Sequence, residues 1–287
     1  MILVTGAGGT VGSEVLKQLR AAGTTTRAGF HSKAKADKAK SEGIDAVTLD
    51  FAARPSITAA LRGVDKLFLL GATAPNQVQL ETNVVETARE AGVRHIVKLS
   101  VLHADREDYI FGRWHRAVEK AIEKSRVPYT FLRPGGFMQN YATYQGATIR
   151  AEGRFYQPGD RKTSHVDVRD IAAVAVSALT SGAGHEGKAY ELTGPEALTN
   201  TEVAAKLSAA TGRKVEFVLV PPEAMRPAML AQGMAEFYVE ALLDLERAYG
   251  AGVGAEITGD VQRILGRKPH TFDQYLRDNV QAFQPAS

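Results

Sequence analysis

The chain has 287 residues, 44% hydrophobic and 23% charged, a globular balance that excludes disordered, collagen-like and coiled-coil architectures. It has no cysteine, which rules out disulfides, thiolate metal sites, iron–sulfur clusters and a cysteine nucleophile. The formal charge of +3 and pI of about 9.0 are a small excess for this length, and read as solvated surface rather than a nucleic-acid face. In chain order, short β-branched runs predict strands at Ile2–Val4, Thr25–Phe30, Ala46–Leu49, Lys66–Leu70, His95–Leu99 and Tyr129–Leu132. Between them, helical periodicity predicts helices over Val11–Ala21, Ala34–Ser41, Ser56–Arg62, Gln77–Ala91 and Trp114–Lys124. Gly23, Gly43, Gly63 and Gly92 each fall just past a predicted helix, where a left-handed cap is wanted. Alternation of this kind implies parallel strands joined by right-handed crossovers.

After Pro134 the pattern loosens. A helix is predicted from about Asp167 to Leu179, a strand at Ala189–Leu192, another strand near Val215–Val220, and mostly helix in the remainder. The fold class expected is α/β, a Rossmann-type doubly wound parallel sheet with a smaller α+β C-terminal substrate domain. Residues 1–134 and 166–184 are assigned to the large sheet domain, and residues 135–165 and 185–287 to the smaller second domain. No apolar run approaches the roughly 20 residues that cross a bilayer, and Met1-Ile-Leu-Val enters a strand with no basic leader, so a cytoplasmic protein without a membrane partner is expected.

The segment Thr5-Gly6-Ala7-Gly8-Gly9-Thr10-Val11-Gly12 follows the first strand and opens the first helix. Gly6 permits the tight turn, Gly9 admits a pyrophosphate to backbone N–H groups, and Gly12 lets helix and sheet approach. With the helix N-terminus as anion site, Gly6, Gly9, Thr10, Val11 and Gly12 are expected to hold a dinucleotide. Where an NAD site places a carboxylate, the chain has Phe30-His31-Ser32-Lys33, with no acid from Thr24 to Ala36. His31, Ser32 and Lys35 could instead bind the extra phosphate of NADP, which is preferred, with NAD still possible. Asp50 and Phe51 after the third strand, and Gly71, Ala72 and Thr73 after the fourth, complete the expected cofactor loops, with Pro134 and Gly135 beyond the sixth.

Six segments then resemble the NmrA-like branch of the atypical short-chain dehydrogenase/reductases, which includes quinone and triphenylmethane reductases. They are Thr5-Gly6-x-x-Gly9-x-x-Gly12, Gly92-Val93-Arg94-His95-Ile96-Val97, Trp114-His115-x-x-x-Glu119, Pro128-Tyr129-Thr130-x-Leu132-Arg133-Pro134-Gly135, Val166-Asp167-Val168-Arg169-Asp170-Ile171-Ala172 and Tyr190-Glu191-Leu192-Thr193-Gly194-Pro195. The resemblance spans essentially the whole chain. It implies an NAD(P)-binding Rossmann domain and a small C-terminal domain whose cleft takes the substrate.

One departure stands out. Most of that superfamily uses Tyr-x-x-x-Lys with a Ser, but here Tyr109 is followed by Arg113, and alignment on Glu119 gives Phe111 and His115. The usual acid for ketone reduction is therefore absent from that position. Hydride transfer to a quinone makes a delocalised phenolate that needs less proton assistance, so the resemblance implies an NAD(P)H-dependent reductase of a quinone-like or conjugated aromatic acceptor.

By the same resemblance, His115 takes the place of the lysine facing the nicotinamide ribose and Ser100 the place of the superfamily serine. Both are the candidate catalytic residues, with a helix-surface histidine and a strand cap as the plainer readings; Tyr109 is an alternative donor. Phe137, Met138, Tyr141 and Tyr144 are the candidate substrate residues, with Phe155, Phe237 and Tyr238 as further aromatics that equally build ordinary cores.

A metal site is not expected, because the seven histidines lack paired spacing with acids. The expected partner is a small aromatic or quinone substrate, with the chain a monomer or homodimer. Tailoring of polyketide quinones is one setting, where reaction of the hydroquinone with oxygen would give net hydroxylation. The alternative is a non-catalytic NAD(P)-binding redox sensor acting through a protein partner. An NAD-using isomerase or epimerase ranks third.

Overall fold

The computed structural model describes residues 1–181 and 184–285. It divides into two compact units. The first comprises Met1–Glu107, Gly112–Arg133 and Ile171–Glu191, and the second comprises Asp108–Phe111, Pro134–Asp170 and Leu192–Ser287.

The first unit is built on strands β1 (Ile2–Val4), β2 (Thr26–Phe30), β3 (Ala46–Thr48), β4 (Lys66–Leu69), β5 (His95–Leu99), β6 (Tyr129–Pro134) and β8 (Lys188–Leu192) in the order β3-β2-β1-β4-β5-β6-β8. The pairings from β3 through β6 are parallel, with Val4 beside both Ala28 and Phe68. The intervening helices are α1 (Thr10–Ala21), α2 (Lys33–Ser41), α3 (Arg54–Ala60), α4 (Gln77–Glu90) and α5 (Ile110–Ser125). Strand order reverses between β1 and β4, and the crevice above their carboxyl ends is where such sheets take ligands.

One face of the sheet packs Leu3, Leu67, Leu69, Ile96 and Phe131 against Ile57 and Leu61, Val84 and Val85 of α4, and Val118 and Ile122 of α5. Each such fully buried side chain contributes about 1.5–3 kcal/mol. The predicted caps are present: Gly23, Gly43, Gly63 and Gly92 have φ of 71°, 76°, 72° and 77°.

The second unit carries a two-stranded parallel sheet of β7 (Arg154–Gln157) and β9 (Glu216–Leu219), with Phe155 beside Phe217. Its helices include α6 (Gly146–Glu152), α8 (Asn200–Thr211), α9 (Pro222–Ala231), α10 (Glu236–Gly250), α11 (Asp260–Leu265) and α12 (Phe272–Asn279). Helix α7 (Val168–Thr180) begins in this unit and runs into the first. At its start Asp167 accepts the backbone N–H of Arg169 at 2.8 Å, a local cap of the kind that Asp supplies. Capping boxes start α8 (Thr199 with Glu202) and α12 (Thr271 with Gln274). The core gathers Met138, Tyr141, Ile149, Phe155, Leu207, Phe272 and Tyr275.

Several boundaries differ from the sequence reading. The chain enters α3 at Arg54 rather than Ser56, because Pro55 fits the first turn, where its missing N–H costs nothing. Helix α5 starts at Ile110, four residues before Trp114, where the Ile110 N–H is taken by the Asp244 carboxylate of α10 at 2.6 Å. That cap comes from far along the chain and leaves no local signature.

Strand β7 was not expected; it is short and its partner among the described residues lies some sixty residues on. Residues 185–191 belong to the first unit, since β8 joins the large sheet, while 166–170 belong to the second. The domain boundaries at 184 and 166 move accordingly. Gly182 and Ala183, within the span assigned to the first domain, lie outside the described residues. No described helix is long and apolar enough to cross a membrane.

Candidate functional site

The first unit's glycine loop is built for close backbone approach. Gly6 holds φ of +62°, and its carbonyl accepts the Gly9 N–H at 2.9 Å. A Cβ on Gly12 would lie 2.2 Å from the Gly6 oxygen, so only glycine lets α1 start there. Thr5 locks the loop's root: its hydroxyl accepts the Leu70 N–H at 2.8 Å and lies 3.1 Å from the Phe68 carbonyl. Helix α1 has no side-chain cap and no acid in its first turn. Its first N–H groups, at Thr10, Val11 and Gly12, therefore have no intrahelical acceptor and keep the positive end of the dipole available to an anion.

At the end of β2, His31 and Ser32 are exposed. Ser32 caps α2, accepting the Lys35 N–H at 3.4 Å, and no acid lies in the first turn. Lys33 is paired with Asp37 further along the helix, whereas Lys35 makes no ion pair among the described residues. Its side chain lines a groove of about 410 Å³ beside Ala7 and Phe30, which Lys17, Arg20 and Lys38 also edge. Asp50 closes its own turn, accepting the Ala52 N–H at 2.9 Å, and Phe51 packs partly into the core. In the loop after β4, Ala72 and Thr73 are exposed, and Gly71 donates its N–H to Glu81 at 3.2 Å. A Cβ on Gly71 would meet that carboxylate at 2.7 Å. Pro134 and Gly135 are buried, and Gly135 bonds to the Leu192 carbonyl.

Beyond β5 lie two buried polar clusters. In one, Ser100 donates its hydroxyl to Glu119 Oε1 at 2.6 Å, and Arg133 clamps both oxygens of Glu119 at 3.0 and 2.8 Å. Arg116 adds a second cation at 3.2 Å. Glu119 is wholly buried, and a carboxylate there is tolerable only with such partners. The Ser100 proton is thus committed to Glu119, which leaves the hydroxyl an acceptor toward anything else.

In the other cluster, the fully buried Lys98 pairs with the fully buried Glu81 at 2.7 Å. Its Nζ also lies 2.6 Å from the Leu99 carbonyl and 3.4 Å from His115 Nδ1. His115, half-buried on α5, has its pKa driven well below the ordinary histidine value, first by burial and then by the Lys98 charge. Lys98 and Glu81 escaped the sequence reading. The available signal was a lysine inside the apolar run His95-Ile-Val-Lys-Leu, since a charge in a central strand must be given a partner.

The substrate candidates fall in the second unit and separate. Met138 and Tyr141 are buried in its core, with Tyr141 edge-on to Phe155 and Phe272 and its hydroxyl bonded to Asn200 at 3.1 Å. Phe155 is also core. Phe137 is half-buried, and Tyr144 is 64% exposed. Tyr144 acts electrostatically on Tyr238, whose ring meets Phe111 at 6.0 Å and Phe237 at 6.4 Å. Tyr109, the alternative donor, is buried. No group of three His, Asp or Glu that could hold a metal occurs among the described residues.

Comparison with known proteins agrees with this architecture. The NmrA-like family model matches residues 1–276. An NAD(P)H azoreductase of Xenophilus azovorans is 39% identical over 288 residues, covering all of both chains. The NADPH-dependent quinone oxidoreductase of Escherichia coli, solved with NADPH, superposes with a TM-score of 0.86 at 28% identity, covering 98% of this chain and 100% of that one. A Citrobacter sp. triphenylmethane reductase complexed with NADP(H) gives 0.82 at 28% identity, over 95% and 98%. With a glycine loop at the switch point of the sheet and a family match over nearly its whole length, the chain belongs to the NmrA-like family.

Proposed function

We propose that the protein is an NADPH-dependent oxidoreductase that reduces a quinone-like or other conjugated aromatic acceptor. The observation that carries this reading is the uncapped, acid-free start of α1 above a glycine loop that admits only backbone, at the switch point of a parallel sheet. The azoreductase, quinone oxidoreductase and triphenylmethane reductase similarities support acceptors of one chemical kind, conjugated and aromatic or quinone-like.

Gly6, Gly9, Thr10, Val11 and Gly12 hold the diphosphate. His31, Ser32 and Lys35 hold the adenosine ribose and its phosphate, and the unpaired Lys35 favours NADPH over NADH. Asp50 and Phe51, Gly71 to Thr73, and Pro134 and Gly135 complete the cofactor site. When bound, NADPH supplies the hydride. No tyrosine in the sequence is followed four residues on by lysine, so the Tyr-x-x-x-Lys acid is absent. His115 stands in its place as a neutral imidazole whose ring N–H donates a hydrogen bond to the oxygen or nitrogen on which charge develops. Ser100, its own proton given to Glu119, accepts a hydrogen bond and fixes the floor of the site. Phe137 and the exposed Tyr144 offer aromatic faces to the acceptor, whereas Met138 and Tyr141 support them from the core. The acting species is a monomer or homodimer in the cytoplasm, with no nucleic-acid partner.

Initial rates of NADPH and NADH oxidation, with and without a panel of quinones and azo dyes, test the reading. Acceptor-dependent turnover that favours NADPH is expected. Coenzyme binding without any turnover would favour the sensor reading instead.

A further inference from the structure

Lys98 Nζ donates to the Leu99 carbonyl at 2.6 Å, lies 3.4 Å from His115 Nδ1 and forms an ion pair with Glu81 Oε2 at 2.7 Å. An ammonium has no lone pair to offer. The His115 Nδ1 facing it must therefore be the unprotonated nitrogen, and the proton of the neutral ring sits on Nε2. Glu81 in turn accepts from the Gly71 N–H at 3.2 Å and from Gln77 Nε2 at 3.4 Å. One buried chain of contacts thus runs from the loop after β4, through Glu81 and Lys98, to the imidazole on α5.

We infer that Lys98 is a positioning residue that sets the tautomer and orientation of His115, so that its Nε2–H is presented as the site's hydrogen-bond donor. The assignment deepens the proposed function and rests on His115 lying at the reacting site. The helix position that carries lysine in the Tyr-x-x-x-Lys arrangement is histidine here, and a lysine rises from β5 to stand beside that histidine. Electrostatics agree with the geometry. The Lys98 charge against Nδ1 opposes protonation there, in line with the lowered pKa of His115, and Glu81 keeps that charge tolerable in a fully buried place. An imidazole whose other nitrogen is fixed by a protein partner is pre-organised to aim its remaining N–H in one direction.

The test is nitrogen NMR of the full-length protein labelled at histidine, with the His115 signals assigned by their loss in His115→Gln. The wild-type protein is expected to show His115 neutral with Nε2 protonated and Nδ1 bare near neutral pH. A proton on Nδ1 would overturn the proposal, and this readout needs no turnover, so it stands apart from whether the acceptor class is right.

The paired variant Lys98→Met with Glu81→Gln removes both buried charges together and avoids stranding either one. It is expected to give mixed His115 tautomers and a kcat at least about tenfold lower, with the NADPH dissociation constant changed less than about threefold. An unchanged tautomer, or an unchanged kcat in a variant that still binds NADPH, would contradict the proposal. If the paired variant does not fold, the wild-type tautomer decides. If the wild-type protein turns over no acceptor, the functional reading fails while the tautomer result remains.

Discussion

Two residues carry the sharpest consequences. Gly12 has no room for a methyl group: its Cβ would sit 2.2 Å from the Gly6 carbonyl, so Gly12→Ala must push α1 away from the loop. Binding of NADPH, followed by titration calorimetry, is expected to vanish in that variant, and retained affinity would show that the loop does not hold the diphosphate. Glu119 is the buried hub for Ser100, Arg116 and Arg133. Glu119→Ala leaves Arg133 without its bidentate partner and is expected to cost about 3–5 kcal/mol in urea unfolding, with Glu119→Gln milder because it keeps an acceptor for Ser100. The glycines were readable because their reason is local, in a strand-to-helix turn. Glu119 was visible only as a landmark of the motif, because its partners come from β5, β6 and α5 itself. The same holds for Lys98, whose sequence position declared a buried charge without naming Glu81 or His115.

At the scale of elements, α2 is proposed to select the coenzyme. Its start combines a serine cap, no acid in the first turn and an unpaired Lys35. A charge-assisted hydrogen bond of about 1.5–3 kcal/mol corresponds to about a tenfold to hundredfold change in affinity. Lys35→Glu is accordingly expected to weaken NADPH by that factor while leaving NADH nearly unchanged. Equal loss of both coenzymes would show that Lys35 acts through α2 rather than on the phosphate. The absence of an acid after β2 was legible in the sequence. The ion pair that occupies Lys33, and leaves Lys35 available, required the helix to be seen. Helix α5 shows the opposite case: its periodicity located it, but its true start at Ile110 is fixed by Asp244 from α10.

For the whole molecule, stability carries a pH signature. Burial holds His95 in the first unit and His165 in the second at pKa values of about 4, against 6.5 for the free side chain. Both are bases with depressed values, so the unfolded chain binds more protons than the folded one between those limits. The stability present above pH 6.5 is therefore lost as pH falls toward about 4. Urea midpoints measured down that range should decline, and His95→Gln, whose amide can still donate to Thr130, should flatten the decline. A midpoint independent of pH would mean that neither histidine is held neutral.

The doubly wound sheet was legible because each of its units repeats a local alternation of strand, helix and glycine cap. The second unit was less so. The apolar or aromatic identity of Met138, Tyr141 and Tyr144 is written in the sequence, but which side chains turn into the core depends on a helix and a two-stranded sheet assembled from distant segments.

The central claim is hydride transfer from NADPH to a conjugated acceptor. It is tested most directly by an anaerobic single turnover, comparing NADPH with its 4-deuterated form and following a quinone or azo dye at its own absorption band. Bleaching of the acceptor in step with coenzyme loss, slower with deuterium, is the predicted result. An acceptor left intact beside fully bound coenzyme would contradict it.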